Sequence, residues 1–577
     1  MQPKGLCSMS DTKEYKQRIA DISSRAQRVT SIVSDAQFNE QGFIETPALR
    51  RQAMLEAAIK DPLFESVNKD AVAQIVSAWG AAYADYANQH KRAPRPEVLA
   101  MAHQTLENCL MAEGVSQGSQ KNINQHMLES VTGAMMSEQD GIMRQAIFLA
   151  MILPVALGAQ TGDACTFIPV PRDHSDIYEI INVAGAKFGD YAIGDKLDMQ
   201  SVGQYSQMRR NYVLSAVGDG STKVFTFKMS DFEGTDIPIR KGRSVLYIGT
   251  EMTPEDNGEG SLLHSYTNAA GETVSLTASV DYTKGQITMT FGVAPDSGVK
   301  LEAEVEINIE AAPEHIPTIN QEMKKWRVYP SQYALAAEHS VQAAYDAQRE
   351  FGIDLNSLQY RTLKDYLSHE QDMLRLRTMI RRCVHTDAFD VAIPQDTNWD
   401  IWSLLFKSKI QQIYRDIAER TQSNGSSGMF AGSDAALFFK MLPTSMFTPA
   451  ENYTQVPYVH FVGTLFNGIK VFEIPTGVCT GFTKQGIAFN TYDVLCYTRD
   501  ENPGKAGFIT GDAVPAVPFV HPTTPALVNR TTLWGSAINR IHPRNGRDYF
   551  TLLTLTNAKV GGLNMRTGLV IESGSTA

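Results

Sequence analysis

Groups that could do chemistry are plentiful in this chain of 577 residues, but their spacing builds no reaction centre. The six cysteines, at positions 7, 109, 165, 383, 479 and 496, include no CxxC pair. Cys383 stands next but one to His385, yet the two lack the spacing of metal ligands, so neither a zinc site nor a disulfide framework is indicated. No metal and no cofactor is expected. The 12 histidines are dispersed, and His174, His339 and His369 sit in polar contexts that suit exposed surface better than general bases. The G-x-G-x-x-G, Walker A, G-x-S-x-G and H-E-x-x-H patterns are missing, and with them the usual phosphate, nucleophile and zinc devices. Glu302, Glu304 and Glu306 form an acidic stripe that could hold a cation, although a solvated strand face accounts for it more simply. Arg209-Arg210, Lys324-Lys325 and the arginines from Arg375 to Arg382 read as salt-bridge partners between subunits rather than as a nucleic-acid groove. Two N-x-T sequons, at Asn452 and Asn529, are idle without a secretory signal.

Composition bounds the answer further. A chain of this length with 43% hydrophobic residues should form more than one domain. Its net charge of −11 argues against a surface that grips nucleic acid. The first twenty residues are polar and charged, so no signal peptide is expected. Residues 147–159 are the most apolar run, but it contains Pro154 and is too short for a bilayer. A soluble protein with reduced thiols follows.

Four textures position these residues. From residue 10 to about 145 the apolar positions recur at helical spacing, as in Ile19, Ile22, Val29, Ile32 and Val33, and again in Val72, Ile75, Val76, Trp79 and Tyr83. Asn68 and Asp70 can cap, and Arg92-Ala-Pro-Arg-Pro96 breaks the pattern. Residues 147–213 hold an apolar helix, then Phe167-Ile-Pro-Val-Pro171 and a Gly-containing extended run. Between 214 and 310 helical periodicity gives way to alternation. Positions 299, 301, 303, 305, 307 and 309 are apolar, with Lys300, Glu302, Glu304, Glu306 and Asn308 between them, so one strand face is buried and the other solvated. Gly218-Asp-Gly220, Asp256-Asn-Gly258 and Lys284-Gly285 supply turns, and an antiparallel all-β domain is expected. Beyond it, residues 385–425 read as a further helical stretch ending in a flexible loop at Ser423-Asn-Gly-Ser-Ser-Gly428. Asp434–Leu442 reads as a short helix, and short strands follow from Tyr458 on, with a tight hairpin at Asn467-Gly468.

The organising stretch is Trp326–Val384. A strand-like run meets Pro330, Ser331 serves as an N-cap, and an Ala-rich helix of about 20 residues is expected to follow. Leu335, Val341, Tyr345 and Phe351 approximate one face, and Gly352 ends the helix. Asp354 caps a second long helix carrying Leu363, Leu367, Met373, Leu374, Met379, Ile380 and Val384.

This stretch, with its segment Asp346-Ala-Gln-Arg-Glu-Phe-Gly-Ile-Asp354, resembles the spine-helix region of tailed-bacteriophage major capsid proteins of the Hong Kong 97-type fold, in the T-even-like, large-phage branch. Phe167-Ile-Pro-Val-Pro171 with Ile177-Tyr178 resembles the start of the extended E-loop of that family, although Arg172-Asp-His-Ser175 replaces its P-T-G triplet. Gly218–Phe227 and Val280–Phe291 resemble a β-domain recurrent in tailed-phage structural proteins. Val462–Val471, and later Gly511–Phe519 and Asn529–Gly535, resemble the A-domain and the strands returning to the P-domain. The resemblance implies an α+β capsid fold with N-arm, E-loop, P-domain and A-domain, an inserted all-β domain and a helical N-terminal segment. The implied boundaries are 1–146, 147–213, 214–310, 311–425, 426–520 and 521–577.

By the same resemblance, the function is that of a self-assembling icosahedral shell subunit, found as hexamers and pentamers, and not that of an enzyme. Scaffold, portal and minor head proteins are the implied partners. The shell would enclose double-stranded DNA without sequence-specific binding and would assemble in the host bacterial cytoplasm, away from membranes. Another virion protein (a tail or head-decoration component) or an encapsulin-type compartment is the rival reading. The E-loop, taken as 167–205, should lie on a neighbouring subunit, with Arg172, Asp173, Lys187, Asp190, Asp195 and Lys196 as candidate contacts. Lys187 or Lys196 could in principle enter Lys–Asn crosslinks, which nothing in the sequence favours over ordinary contacts. Leu63-Phe64-Glu65 matches a pattern after which some relatives are cut, making Glu65 a candidate processing site.

Overall fold

The computed structural model describes residues 9–35, 47–64, 69–90, 92–114, 152–171, 174–186, 191–197, 207–268, 271–352, 355–391, 399–423, 425–450, 455–500, 502–521 and 527–556. The chain divides into two compact units. Among the described residues, one comprises those within 180–323 and the other those within 9–179 and 324–556.

The larger unit begins with four helices, α1 (Met9–Val33), α2 (Pro47–Ile59), α3 (Lys69–His90) and α4 (Pro96–Gly114). Pro96 opens α4 at the first helical position, where a missing N–H costs nothing. Asp70 sits in the first turn of α3, favourably placed against the helix dipole. Val29, Ile32 and Val33 of α1, Ile75, Val76 and Trp79 of α3, and Leu99, Met101 and Leu106 of α4 are buried in one cluster. That cluster continues without a break into Phe430, Phe472, Tyr497 and Phe550 of the main sheet. These helices therefore do not close a core of their own.

The main sheet has seven strands, in the order His385–Asp390, Phe550–Thr556, Asp493–Arg499, Ser426–Gly432, Ile469–Ile474, His460–Leu465 and Phe447–Pro449. Its central strands are covered on both faces, which is why they read as apolar runs. Phe430, Leu495 and Tyr497 face the N-terminal helices, while Met429, Ala431, Val494 and Cys496 face the helix Trp399–Thr421. Trp402, Phe406, Ile410, Ile413 and Ile417 of that helix are buried in the second cluster. Two expectations are corrected here. The helical stretch starts at Trp399, because His385–Asp390 is a strand paired in parallel with Phe550–Thr556. Residues 426–428 lie in the central strand rather than in a flexible loop. The glycines that suggested a loop serve close approach instead. A Cβ on Gly428 would fall 2.3 Å from the Tyr497 hydroxyl, and one on Gly425 would fall 1.9 Å from the Arg499 carbonyl oxygen.

A second sheet has the order Cys165–Phe167, Phe508–Val520, Val528–Ile541 and Ser331–Ser340. It overturns the expected start of the Ala-rich helix. Residues 331–340 form a strand antiparallel to Val528–Ile541 over ten paired positions. The N-cap is Ser340, whose Oγ accepts from the Ala343 amide at 3.1 Å, and the helix spans only Val341–Phe351. Helix propensity is a weak local prior that this pairing overrides. Gly352, at φ +63°, ends the helix as expected, while Asp354 falls outside the described residues. The following helix, Leu355–Arg382, has 28 residues. It buries Leu363, Leu367, Leu376, Met379 and Ile380, whereas Val384 lies beyond its end and is exposed.

The smaller unit holds two four-stranded sheets. One runs Val224–Lys228, Gln286–Phe291, Thr273–Asp281 and Ser261–Thr267; the other runs Arg209–Val213, Leu301–Glu306, Val245–Ile248 and Glu251–Met252. Alternation is strict in Leu301–Glu306, where Leu301, Ala303 and Val305 are buried and the glutamates lie on the opposite face. Gly285, at φ +61°, makes its turn where a Cβ would meet the Ile237 carbonyl oxygen at 2.4 Å.

Candidate assembly surfaces and the charges beneath them

Of the residues singled out in the extended segment, Arg172, Asp173, Lys187 and Asp190 lie outside the described residues, as does Glu65. Asp195 and Lys196 are placed. Asp195 closes a turn, its Oδ2 accepting from the Ala192 amide at 2.7 Å, and Lys196 bridges to Val183. At the tip of this turn Ile193 is 72% exposed.

A larger apolar surface lies on the other unit. The helix Val341–Phe351 has no buried residue. Val341, Tyr345 and Phe351, whose spacing suggests a core face, are exposed in the single chain, Phe351 at 73%. Leu358 and Tyr366 of the next helix are exposed as well. Beside them a groove of about 620 Å³ runs between the strand Ser331–Ser340 and the helix Leu355–Arg382, lined by Leu335, Ala337, Leu358, Leu363, Tyr366 and Met373. His339, expected at the surface, is buried at the end of this strand with Nδ1 3.0 Å from the Gln359 carbonyl oxygen. His369 lines the same groove.

Several members of the basic clusters have partners inside the chain. Arg209 pairs with Glu304 and Glu255, and Arg210 with Glu233 at 3.1 Å. Glu306, also of the acidic stripe, takes Arg240 at 2.8 Å. Lys325 and Arg327 both reach Asp176 at 3.0 Å. Arg375 is buried against Asn539 and Thr510.

Sequence reasoning missed a buried charge cluster altogether. Asp163 accepts from Arg92 at 2.6 Å, from Lys470 at 2.9 Å and from the Tyr497 hydroxyl at 3.0 Å. Glu97 Oε1 takes both Arg95, at 2.9 Å, and Arg499, at 3.0 Å. Burial pushes the Asp163 carboxyl up, but Lys470, Arg95 and Arg92 together outweigh it and hold it below the usual carboxylate range. Burial takes the Lys470 ammonium down to about 8 despite Asp163. The cluster joins α4, the segment 160–167 and the main sheet. Its members lie too far apart in sequence to form a motif.

Burial raises the Cys165 thiol to about 11 and that of Cys496 to about 12, which leaves them protonated and inert. Among the described residues no group of three or more His, Cys, Asp or Glu could hold a metal ion, and no helix is long and apolar enough to cross a membrane.

Residues 199–476 match the family of the major capsid protein Gp23, and residues 10–159 match a domain of unknown function, DUF8615. The chain is a phage major capsid protein, a structural shell subunit rather than an enzyme. It belongs to one family with Protein IncB of Escherichia coli, to which it is 55% identical over 181 residues, covering 31% of this chain and 86% of that protein. Among solved structures it is similar to the capsid of jumbo bacteriophage PhiKZ, with a TM-score of 0.35 and 8% identity over 68% of this chain and 91% of that one. It is also similar to the capsid of phage XM1 (TM-score 0.27, 8% identity, 57% and 92% covered). The SrpI encapsulin of Synechococcus elongatus is similar at a TM-score of 0.28, with 7% identity and 45% and 81% covered. Likenesses this distant carry no argument of their own. The subunit self-associates and is part of the virion.

Proposed function

We propose that the subunit assembles as hexamers and pentamers into a phage head that encloses double-stranded DNA. The observation that carries this reading is the exposed apolar surface from Val341 through Tyr345 and Phe351 to Leu358 and Tyr366, rimmed patches of this kind marking protein–protein contacts. The net charge of −11 suits a wall that holds DNA without gripping it. Assembly takes place in the host bacterial cytoplasm with scaffold, portal and minor head proteins as partners.

In this reading the segment 167–205 is the E-loop. Arg172, Asp173, Lys187, Asp190, Asp195 and Lys196 meet a neighbouring subunit, helped by the exposed Ile193. Residues 214–310 form an inserted β-domain, 311–425 the P-domain and 426–520 the A-domain, with 521–577 returning to the P-domain. Because α1 and α2 contribute to the main core, the N-terminal segment is retained rather than removed after Glu65. The test is charge reversal of Lys187 and Lys196 to Glu. We expect weakened assembly from a subunit that still folds, and unchanged shells would show that the loop contacts lie elsewhere.

A further inference from the structure

The strand Ser331–Ser340 is the last strand of its sheet, bonded to Val528–Ile541 on one side. Among the described residues nothing pairs with its other side. An open edge is a hazard that folded proteins ordinarily blunt by shortness, by proline, or by charge. Three other sheet edges of the larger unit are blunted in these ways. Phe447–Pro449 is three residues long and ends in proline, Cys165–Phe167 is three residues long, and His385–Asp390 carries Asp387 and Asp390. By contrast, Ser331–Ser340 is ten residues long, and its sequence, SQYALAAEHS, has one charged residue. That residue, Glu338, is 3.5 Å from Arg530 of the strand already paired with it. The central residues Ala334 and Ala336 are small and exposed, which lets another backbone come close. Leu335 and Ala337 continue into the apolar groove of about 620 Å³.

We propose that this edge is a strand-addition site, and that a second copy of this chain supplies the added strand in the assembled shell. Main-chain hydrogen bonds along 331–340 would give the contact its strength, and the groove would take the apolar side chains of the incoming strand. The choice of occupant rests on the shell reading. A capsid subunit meets its own copies at high local concentration. An unguarded edge invites uncontrolled aggregation, and a copy seated on this one, open among the described residues, would remove that hazard in the shell. The exposed Tyr345 and Phe351 follow directly on this strand, so one partner could cover both.

The experiment is hydrogen exchange on the full-length subunit, before assembly and in closed shells, paired with Ala336→Lys and Ala336→Ser variants. Position 336 is exposed at the rim of the groove, so neither substitution enters the core, and a lysine there restores the missing guard. The expected result is that amides of 331–340 not bonded to Val528–Ile541 slow by at least about tenfold on assembly. Ala336→Lys should cut shell yield by about tenfold or more while Ala336→Ser assembles normally. If wild-type shells form but exchange at 331–340 is the same in both states, or Ala336→Lys shells form at normal yield, strand addition is wrong and the capsid reading stands. If the wild type never forms shells, the capsid reading fails, and this proposal falls with it.

Discussion

Glu97 Oε1 accepts from Arg499 Nη1 at 3.0 Å, joining residues 402 apart in sequence, and both side chains are buried. The same oxygen accepts from Arg95, so one carboxylate holds two guanidinium groups at the seam between α4 and the main sheet. Removing one partner of a buried pair leaves the rest uncompensated in a poorly solvating interior. Glu97→Ala should therefore lower unfolding free energy by roughly 3–5 kcal/mol. Removing Glu419, which forms an exposed pair with Arg415, should change it by less than about 1 kcal/mol. Urea denaturation of the unassembled subunit measures both, and equal effects would contradict the assignment.

The N-terminal helices give a second test. Ala26, Val29, Ile32 and Val33 of α1, with Met54, Ala58 and Phe64 further on, belong to the core shared with Phe430 and Phe550. A chain begun at residue 69 uncovers that apolar surface and should be largely insoluble. Soluble, monomeric protein of wild-type stability from that truncation would show the helices to be a detachable arm. Intact mass spectrometry of subunits from purified heads should likewise give the full-length mass.

How much of this was legible in the sequence depended on range. The alternation at 301–307 and the stop at Gly352 are readable because they are local, although Ile309, expected on the same buried face, is exposed. Ser331–Ser340 was not, because an Ala-rich segment favours helix in isolation and becomes a strand only through its pairing with Val528–Ile541, far along the chain. Gly425 and Gly428 look like loop residues until Tyr497 and Arg499 are placed against them. The stripe Val341, Tyr345, Phe351 has the periodicity of a core face, but among the described residues nothing of the same chain covers it. The cluster of Asp163 and Glu97 has no signal, since every partner but Arg95 lies far along the chain from the carboxylate it meets.

Those glycines make a third prediction. Gly425→Ala puts a methyl group 1.9 Å from the Arg499 carbonyl oxygen, and the strand cannot yield without breaking its pairing. A loss of about 3 kcal/mol or more is expected, or no folded protein. Gly477→Ala, in the helix Thr476–Lys484 with nothing within 4 Å, should instead gain about 0.5–1 kcal/mol. Thermal melts of the two variants should move in opposite directions.

Acid stability offers a fourth. His542 is buried against Trp326, and burial, aided by Arg544, lowers its pKa from 6.5 to about 4. The unfolded chain then binds a proton that the folded chain refuses, so stability falls as pH drops from 6.5 towards 4. The loss attributable to this group is on the order of 3 kcal/mol. Other groups titrate in the same range, so the quantity to measure is the difference between wild type and His542→Gln. The variant should be less stable at pH 7, and the gap should narrow on acidification. A gap that does not change with pH would rule His542 out.

The central claim is that this chain builds a closed shell. Electron microscopy of the purified, concentrated full-length protein tests it most directly. The account predicts icosahedral particles whose walls resolve into hexamers and pentamers of this subunit. Only dispersed monomers, or tubes without five-fold vertices, under every assembly condition tried would contradict it.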